Sequence, residues 1–308
     1  LTYICNQSTT ETDSQLSGTA NAEARHFMPL KDIFDETLDI NSTADYILIL
    51  QVGYEELTFT ILDAVRNKYV FLRSYTPDEK SRYSPDEIAE IIEKDDFLLK
   101  KYKKSIILTT SGLFTMVPAS LYDPGKKDIY FELNHGKIEN HTVLNNMIPE
   151  ADSCLLYGIS TPLYEIIKNH FPSAILYHQL KPLFCYMDKE MRKLSGPYMH
   201  INVENESFSI SLFSNYSLLY LNSFQYRNCQ DIVYYILNII RSYGAANIQS
   251  IHLSGNTDRF DELTSLLSLY LKSVLFAEPS GNFSFSYIFN DTGLHRMLSL
   301  FSAVNCES

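Results

Sequence analysis

YILILQVGYEELTFTILDAVRNKYVFLRSY, residues 46–75, reads as three short strands in a row. Tyr46 to Val52 is a near-continuous apolar run, Glu56 to Asp63 alternates at Leu57, Phe59 and Ile61, and Lys68 to Tyr75 follows the turn signal Arg66-Asn67. Three strands with tight connections make an antiparallel meander.

The pattern returns at YMHINVENESFSISLFSNYSLLYLNSF, residues 198–224. With a shift of 151 positions Val52 meets Val203, Leu57 meets Phe208, Phe59 meets Ile210 and Ile61 meets Leu212, so the apolar faces coincide without a gap. The elements after each meander match as well. After the first, Ser84-Pro85-Asp86-Glu87 caps a helix expected to reach about Lys100, and the strand Ser105 to Thr109 ends in Ser111-Gly112. After the second, a helix from about Cys229 to Tyr243 leads to the strand Ile248 to Leu253, the turn Ser254-Gly255-Asn256 and a helix from about Asp258 to Leu271. Between the repeats, Met116-Val117-Pro118 is expected to open a short helix, Lys126 to His135 a second, and Thr161-Pro162 to cap a third ending at Asn169. Cys154 to Ile159 and Ala174 to His178 read as strands. The expected organisation is a flexible leader and linker over 1–44, a first α/β lobe over 45–195 and a second over 196–308.

Bulk properties fit two lobes and exclude several functions. With 45% apolar and 20% charged residues, a chain of 308 residues can offset its ordering entropy. A formal charge of −12 opposes phosphate-backbone binding. The cluster Lys100, Lys101, Lys103 and Lys104 reads as a solvated helix end. Cys5, Cys154, Cys185, Cys229 and Cys306 are odd in number and show no C-x-x-C pair, which disfavours a disulfide framework or a zinc knuckle and fits a cytoplasmic location. No stretch approaches the ~20 apolar residues of a membrane span.

Two βββαβα units in one chain resemble the lobes of the actin, sugar-kinase and heat-shock ATPase superfamily, whose fold is a duplicated ribonuclease H-like plan. Within it the chain is similar to an uncharacterised bacterial group of actin-like proteins, domain-of-unknown-function family 3822. The resemblance covers roughly Asp45 to the C-terminus and rests on residues 46–75, on Met116-Val117-Pro118 and on His200 to Phe224. It implies an acidic D-x-G turn in each first hairpin, holding Mg²⁺ and the attacking water, and a glycine pair packed on adenosine. Here the turns read Gln51-Val52-Gly53 and Asn202-Val203-Glu204, and the glycine pair is reduced to Ser254-Gly255-Asn256. A carboxamide carries no charge and is no general base near neutral pH. Gln51, Gly53, Asn202, Ser254, Gly255 and Asn256 therefore outline a degenerate nucleotide cleft. Gly53 also reads as a turn residue with positive φ, and Gly255 as either a turn or a point of ligand approach.

Other candidates have plain readings. His135 and His141 lack helical ligand spacing and suggest a surface loop, whereas His178, His200 and His252 fall in apolar strands as core or edge histidines. Cys185 has no histidine partner in sequence. Thr292 can cap an amphipathic segment with Leu294, Met297, Leu298 and Phe301 on one face, expected to dock on its own lobe. Tyr216, Tyr220 and Tyr226 are either an exposed interface or ordinary strand residues. The leading expectation is a non-catalytic scaffold or adaptor with a protein partner, no cofactor and no catalytic or metal site. The alternative is an ATPase or small-molecule kinase using ATP with Mg²⁺, its acids displaced to Asp63, Asp231 or Asp258. A ribonuclease H-type nuclease is disfavoured by Gln51 and by the charge.

Overall fold

The computed structural model describes residues 27–77, 82–194, 196–244, 248, 250–258 and 261–307. Its first sheet is built from β1 (Lys31–Phe34), β2 (Tyr46–Val52), β3 (Leu57–Asp63) and β4 (Lys68–Tyr75), then, after α1 (Pro85–Lys94), β5 (Lys104–Thr109). An inserted unit comes next, made of β6 (Phe114–Pro118), α2 (Lys127–His135), β7 (His141–Ile148) and β8 (Ser153–Ser160). The chain then returns through α3 (Thr161–His170) to β9 (Ile175–His178), and α4 (Leu180–Met191) leads out of the lobe. The second lobe comprises β10 (Tyr198–Val203), β11 (Ser207–Ser214), β12 (Ser217–Gln225), α5 (Cys229–Ser242), β13 (Ser250–Gly255), α6 (Glu262–Leu267) and β14 (Ser273–Phe276). A C-terminal segment carries β15 (Ser284–Phe285), a 3-10 turn Leu294–Met297, α7 (Leu298–Ser302) and a last turn Ala303–Glu307.

Strand order is β1-β4-β3-β2-β5-β9 in the first sheet and β12-β11-β10-β13-β14 in the second. In both, an antiparallel meander continues through parallel neighbours, β2 to β5 and β10 to β13. The central strands β2 and β10 are buried along nearly their whole length, and mostly apolar, because both their faces are covered. One face of each sheet is closed by its own helices: α1 and α3 contribute Ile88, Ile92 and Leu163, and α5 and α6 contribute Ile232, Ile236 and Leu267.

The opposite faces are closed by the two stretches of chain that pass between the lobes. Leu183, Phe184 and Met187 of α4 pack on Tyr198 and Phe213 of the second sheet. Phe289, Leu300 and Phe301 pack on Ile49, Tyr69 and Leu72 of the first. The C-terminal segment was expected to dock on the second lobe through a single apolar face. Instead it covers the first sheet, with Met297, Leu300 and Phe301 facing that sheet while Leu298 points into the α4 core. An aromatic cluster explains the choice. The Tyr69 ring lies 5.0 Å from Phe301 and 5.1 Å from both Phe283 and Phe285, and its hydroxyl donates to the Phe301 carbonyl at 2.7 Å. Burying each such ring contributes roughly 1.5–3 kcal/mol.

Other departures have local causes. Lys31–Phe34, expected within a flexible leader, pairs antiparallel with β4, and Asp35 behind it accepts hydrogen bonds from Lys68 and Ser286; residues 1–26 lie outside the described residues. The α1 capping box forms as read, with Ser84 accepting from the Glu87 N–H and Glu87 from the Ser84 N–H. That helix stops at Lys94 because the buried Asp95 carboxylate takes the N–H groups of Phe97 and Leu98 together with Arg73 and Tyr75 of β4. Lys100, Lys101 and Lys103 consequently sit in the connection to β5, and Lys104 starts that strand. Met116-Val117-Pro118 is the end of a strand, with one 3-10 turn after it. His135 ends α2 and His141 opens β7, so neither lies in a loop. No described helix is long and apolar enough to cross a membrane.

Burial holds the strand histidines neutral. His178 is pushed down to about 4 despite its hydrogen bond to the Ser111 carbonyl, and His200 to about 3, where its neighbour His252 adds to the burial effect. An unfolded histidine protonates near pH 6.5. A depressed folded value therefore means stability that is full above that pH and falls as pH drops toward the folded value. Urea denaturation should show a loss of about 2 kcal/mol for each of His178 and His200 between pH 7 and pH 5, and His200→Gln should flatten that slope by about one proton. An unchanged slope would show that His200 is not held neutral.

Candidate functional site

The C-terminal ends of β2 and β10 face each other across a cleft of about 340 Å³ between the lobes. Register puts Gln51 near the end of one strand and Asn202 near the end of the other, beside Leu108 of β5 and Ser254 of β13. Both carboxamides are engaged. Gln51 Oε1 accepts from the Ser299 hydroxyl of α7 at 3.2 Å, and Asn202 Oδ1 accepts from the Ser254 hydroxyl at 2.7 Å. Neither supplies the anionic oxygen by which one or two carboxylates usually hold Mg²⁺.

Glu204, just beyond β10, is tied into the wall. Its carboxylate accepts from Gln179 at the end of β9, from Ser207 at 3.1 Å and from Asn202 at 3.4 Å. Burial raises its pKa, and the three hydrogen bonds only partly offset that effect. Because Gln179 belongs to the first lobe and Glu204 to the second, the pair also links the lobes. A second link lies outside it, where Arg82 reaches Glu55 at 2.9 Å and Glu206 at 2.5 Å and so joins the two hairpin turns.

Of the six residues expected at the cleft, Gln51, Asn202, Gly255 and Asn256 line it, whereas Gly53 and Ser254 stand behind. The two glycines serve different needs. Gly53 does not adopt a positive φ; a side chain there would collide with the Thr110 hydroxyl. Gly255 has φ +85°, and a Cβ would strike the Val203 carbonyl. Its turn is pinned to β10 by the Asn256 N–H donating to that carbonyl at 2.7 Å, so backbone packing accounts for the glycine.

The three acids considered as displaced catalytic groups do not converge here. Asp63 is at the far end of β3, opposite Tyr46, holding the turn N–H groups of Val65 and Arg66. Asp231 accepts from the Arg227 N–H at the start of α5. Asp258 comes nearest, bonded at 3.1 Å to Arg296, which lines the cleft. Among the described residues no three His, Cys, Asp or Glu side chains are grouped to hold a metal ion.

Glu56 and Lys31 are among the cleft residues that escaped sequence reasoning. Glu56 looked like an ordinary turn acid, yet it lines the cleft with a pKa raised by burial, partly countered by the Thr58 hydroxyl and by Lys31. Lys31 arrives on β1, a strand too short to signal itself, and burial and the nearby Arg296 lower its pKa. Glu56 had one available signal: it lies in the hairpin turn whose counterpart contains Glu206.

Residues 35–274 match the family described as Protein of unknown function (DUF3822). The chain belongs to that family. Its fold is that of the actin-like ATPases. A Bacteroides thetaiotaomicron protein with actin-like ATPase fold and unknown function superposes with a TM-score of 0.71 at 23% identity, over 85% of this chain and 98% of that one. A chain of the PilM-PilN type IV pilus biogenesis complex superposes with a TM-score of 0.57 at 12% identity, over 85% and 99% respectively. A search of curated proteins finds no match.

The two glycine environments predict different rescue behaviour. Gly53→Ala should cost about 2 kcal/mol and recover most of it in combination with Thr110→Ala. Gly255→Ala should cost at least about 2 kcal/mol, with no such rescue, because its obstacle is backbone. Urea denaturation of the three variants separates the cases, and a Gly255→Ala protein as stable as the wild type, or a Gly53→Ala loss that Thr110→Ala leaves unchanged, would contradict this assignment.

Proposed function

We propose that this protein is a non-catalytic actin-like scaffold or adaptor of the cytoplasm whose role is to bind a protein partner. The observation that carries the reading is the pair of carboxamides, Gln51 and Asn202, at the strand ends where the superfamily resemblance calls for carboxylates, with the Glu204 carboxylate tied in beside them. The carboxamides do not supply the anionic oxygens that would hold Mg²⁺ beside a polyphosphate. The partner half of the reading has two supports. The PilM-PilN neighbour was solved as a complex. Strand β12 ends the second sheet with nine residues free of charge and proline, SLLYLNSFQ, and exposes Leu219; an extended segment of a partner chain adds to such an edge.

Isothermal titration of the full chain with ATP and Mg²⁺ tests this directly. The expected result is no saturable heat and no thermal stabilisation. Saturable, Mg²⁺-dependent binding would overturn it and favour the second reading, an ATPase or small-molecule kinase with displaced acids. Glu56 is the observation in favour of that second reading, being a cleft carboxylate outside the expected turn positions. In that case Glu56→Gln should abolish turnover while leaving binding in place.

A further inference from the structure

The chain passes between the lobes twice, once through α4 and once through the segment that ends in α7 and the turn 303–307. Helix α4 packs against both α7 and that last turn, so the two passages touch where the lobes join. At this contact Cys185 of α4 and Cys306 of the last turn lie with their sulfurs 3.1 Å apart, although 121 residues separate them in sequence. Cys154, Cys185, Cys229 and Cys306 are all free thiols.

We propose that Cys185 and Cys306 form a reversible disulfide under hydroperoxide oxidation, fastening the two interlobe passages to each other. Closing the sulfur gap to the ~2.05 Å of a bond needs a shift of about 1 Å, within the reach of a terminal 3-10 turn. Cys306 is the more exposed partner and reacts first. Its thiolate attacks one peroxide oxygen, the O–O bond breaks, and the departing hydroxide leaves as water after taking a proton. Cys306 is then a sulfenic acid. The Cys185 sulfur next attacks the Cys306 sulfur, the S–O bond breaks, and the second hydroxide departs as water with the proton that Cys185 has given up. Two thiols are oxidised by two electrons in total, and one peroxide is reduced to two waters.

The surroundings set the order of events. Cys185 donates to Cys306 and lies 3.3 Å from Glu150 Oε1, and Glu150 is itself 3.4 Å from the Lys181 ammonium. The hydrogen bond to Cys306, burial and the Glu150 charge keep the Cys185 thiol protonated, which suits a resolving rather than an attacking cysteine. Glu150 is placed to take this proton in the second step and pass it to the departing hydroxide. In a reducing compartment such a bond forms transiently, the usual mode of intracellular disulfides. This inference does not depend on whether the cleft takes nucleotide.

The test is to treat reduced full-length protein with one equivalent of hydrogen peroxide at neutral pH. Intact mass, a non-reducing peptide map and the thermal midpoint are then compared with and without dithiothreitol. The expected result is a loss of about 2 Da, a single linked peptide pair containing Cys185 and Cys306, and a midpoint raised by about 5 °C that dithiothreitol reverses. Cys306→Ser should abolish the link and the shift while leaving the reduced midpoint in place. A gain of about 32 Da at Cys306 without a link, links through Cys5, Cys154 or Cys229 instead, or a Cys185–Cys306 link that leaves the midpoint unchanged would each overturn the proposal.

Discussion

A central strand buried on both faces must be covered twice, and in a sheet flanked by its own two helices only one cover is local. β2 and β10 are both of this kind. The second cover for each comes from a stretch of chain in transit between the lobes: α4 lies on the second sheet, and the Phe289 to Phe301 segment lies on the first. The anchorage of Phe301 by the Tyr69 ring and hydroxyl therefore does more than fill a core. It fixes where the C-terminal segment runs, and with it the position of Ser299, whose hydroxyl donates to Gln51 in the cleft.

The cleft arises from the same constraint. Matching strand order in the two sheets brings the ends of β2 and β10 face to face, the position at which open α/β sheets bind ligands. The residues at those ends decide the chemistry, and here the wall is made of two engaged carboxamides, Glu56 and the tethered Glu204. The Gln179 to Glu204 and Arg82 to Glu55 and Glu206 contacts cross between the lobes at the same mouth, so side chains of the protein itself hold the space together.

The meanders were legible because alternation with a period of two survives wherever a strand has neighbours above and below. β2 and β4 run over the residues expected, and β3 starts one residue later. Elements that serve as wedges were not legible. In α4 the run from Leu180 to Met187 is buried all round, Lys181 and Pro182 included, so no amphipathic period marks it as a helix. β7 interrupts its apolar residues with Asn145 and Asn146, of which Asn146 accepts from the His178 N–H, and β1 and β15 are four and two residues long. The C-terminal segment defeated the single-face assumption because it packs between two cores. At the cleft, Gln51 and Asn202 could be found by aligning the repeats, and Gly255 and Asn256 from the resemblance; for Glu56 the repeat marks only the turn, and nothing marks Lys31, since burial of a turn acid or an edge lysine is a tertiary fact.

A non-catalytic scaffold, as proposed, would leave the actin-like cleft without a response to magnesium nucleotide. Hydrogen–deuterium exchange of the full chain, with and without saturating ATP and Mg²⁺, tests it at the residues concerned. The account predicts superimposable exchange at residues 51–57, 202–207 and 253–258. Nucleotide-dependent protection of both hairpin turns together with the Gly255 turn would contradict it.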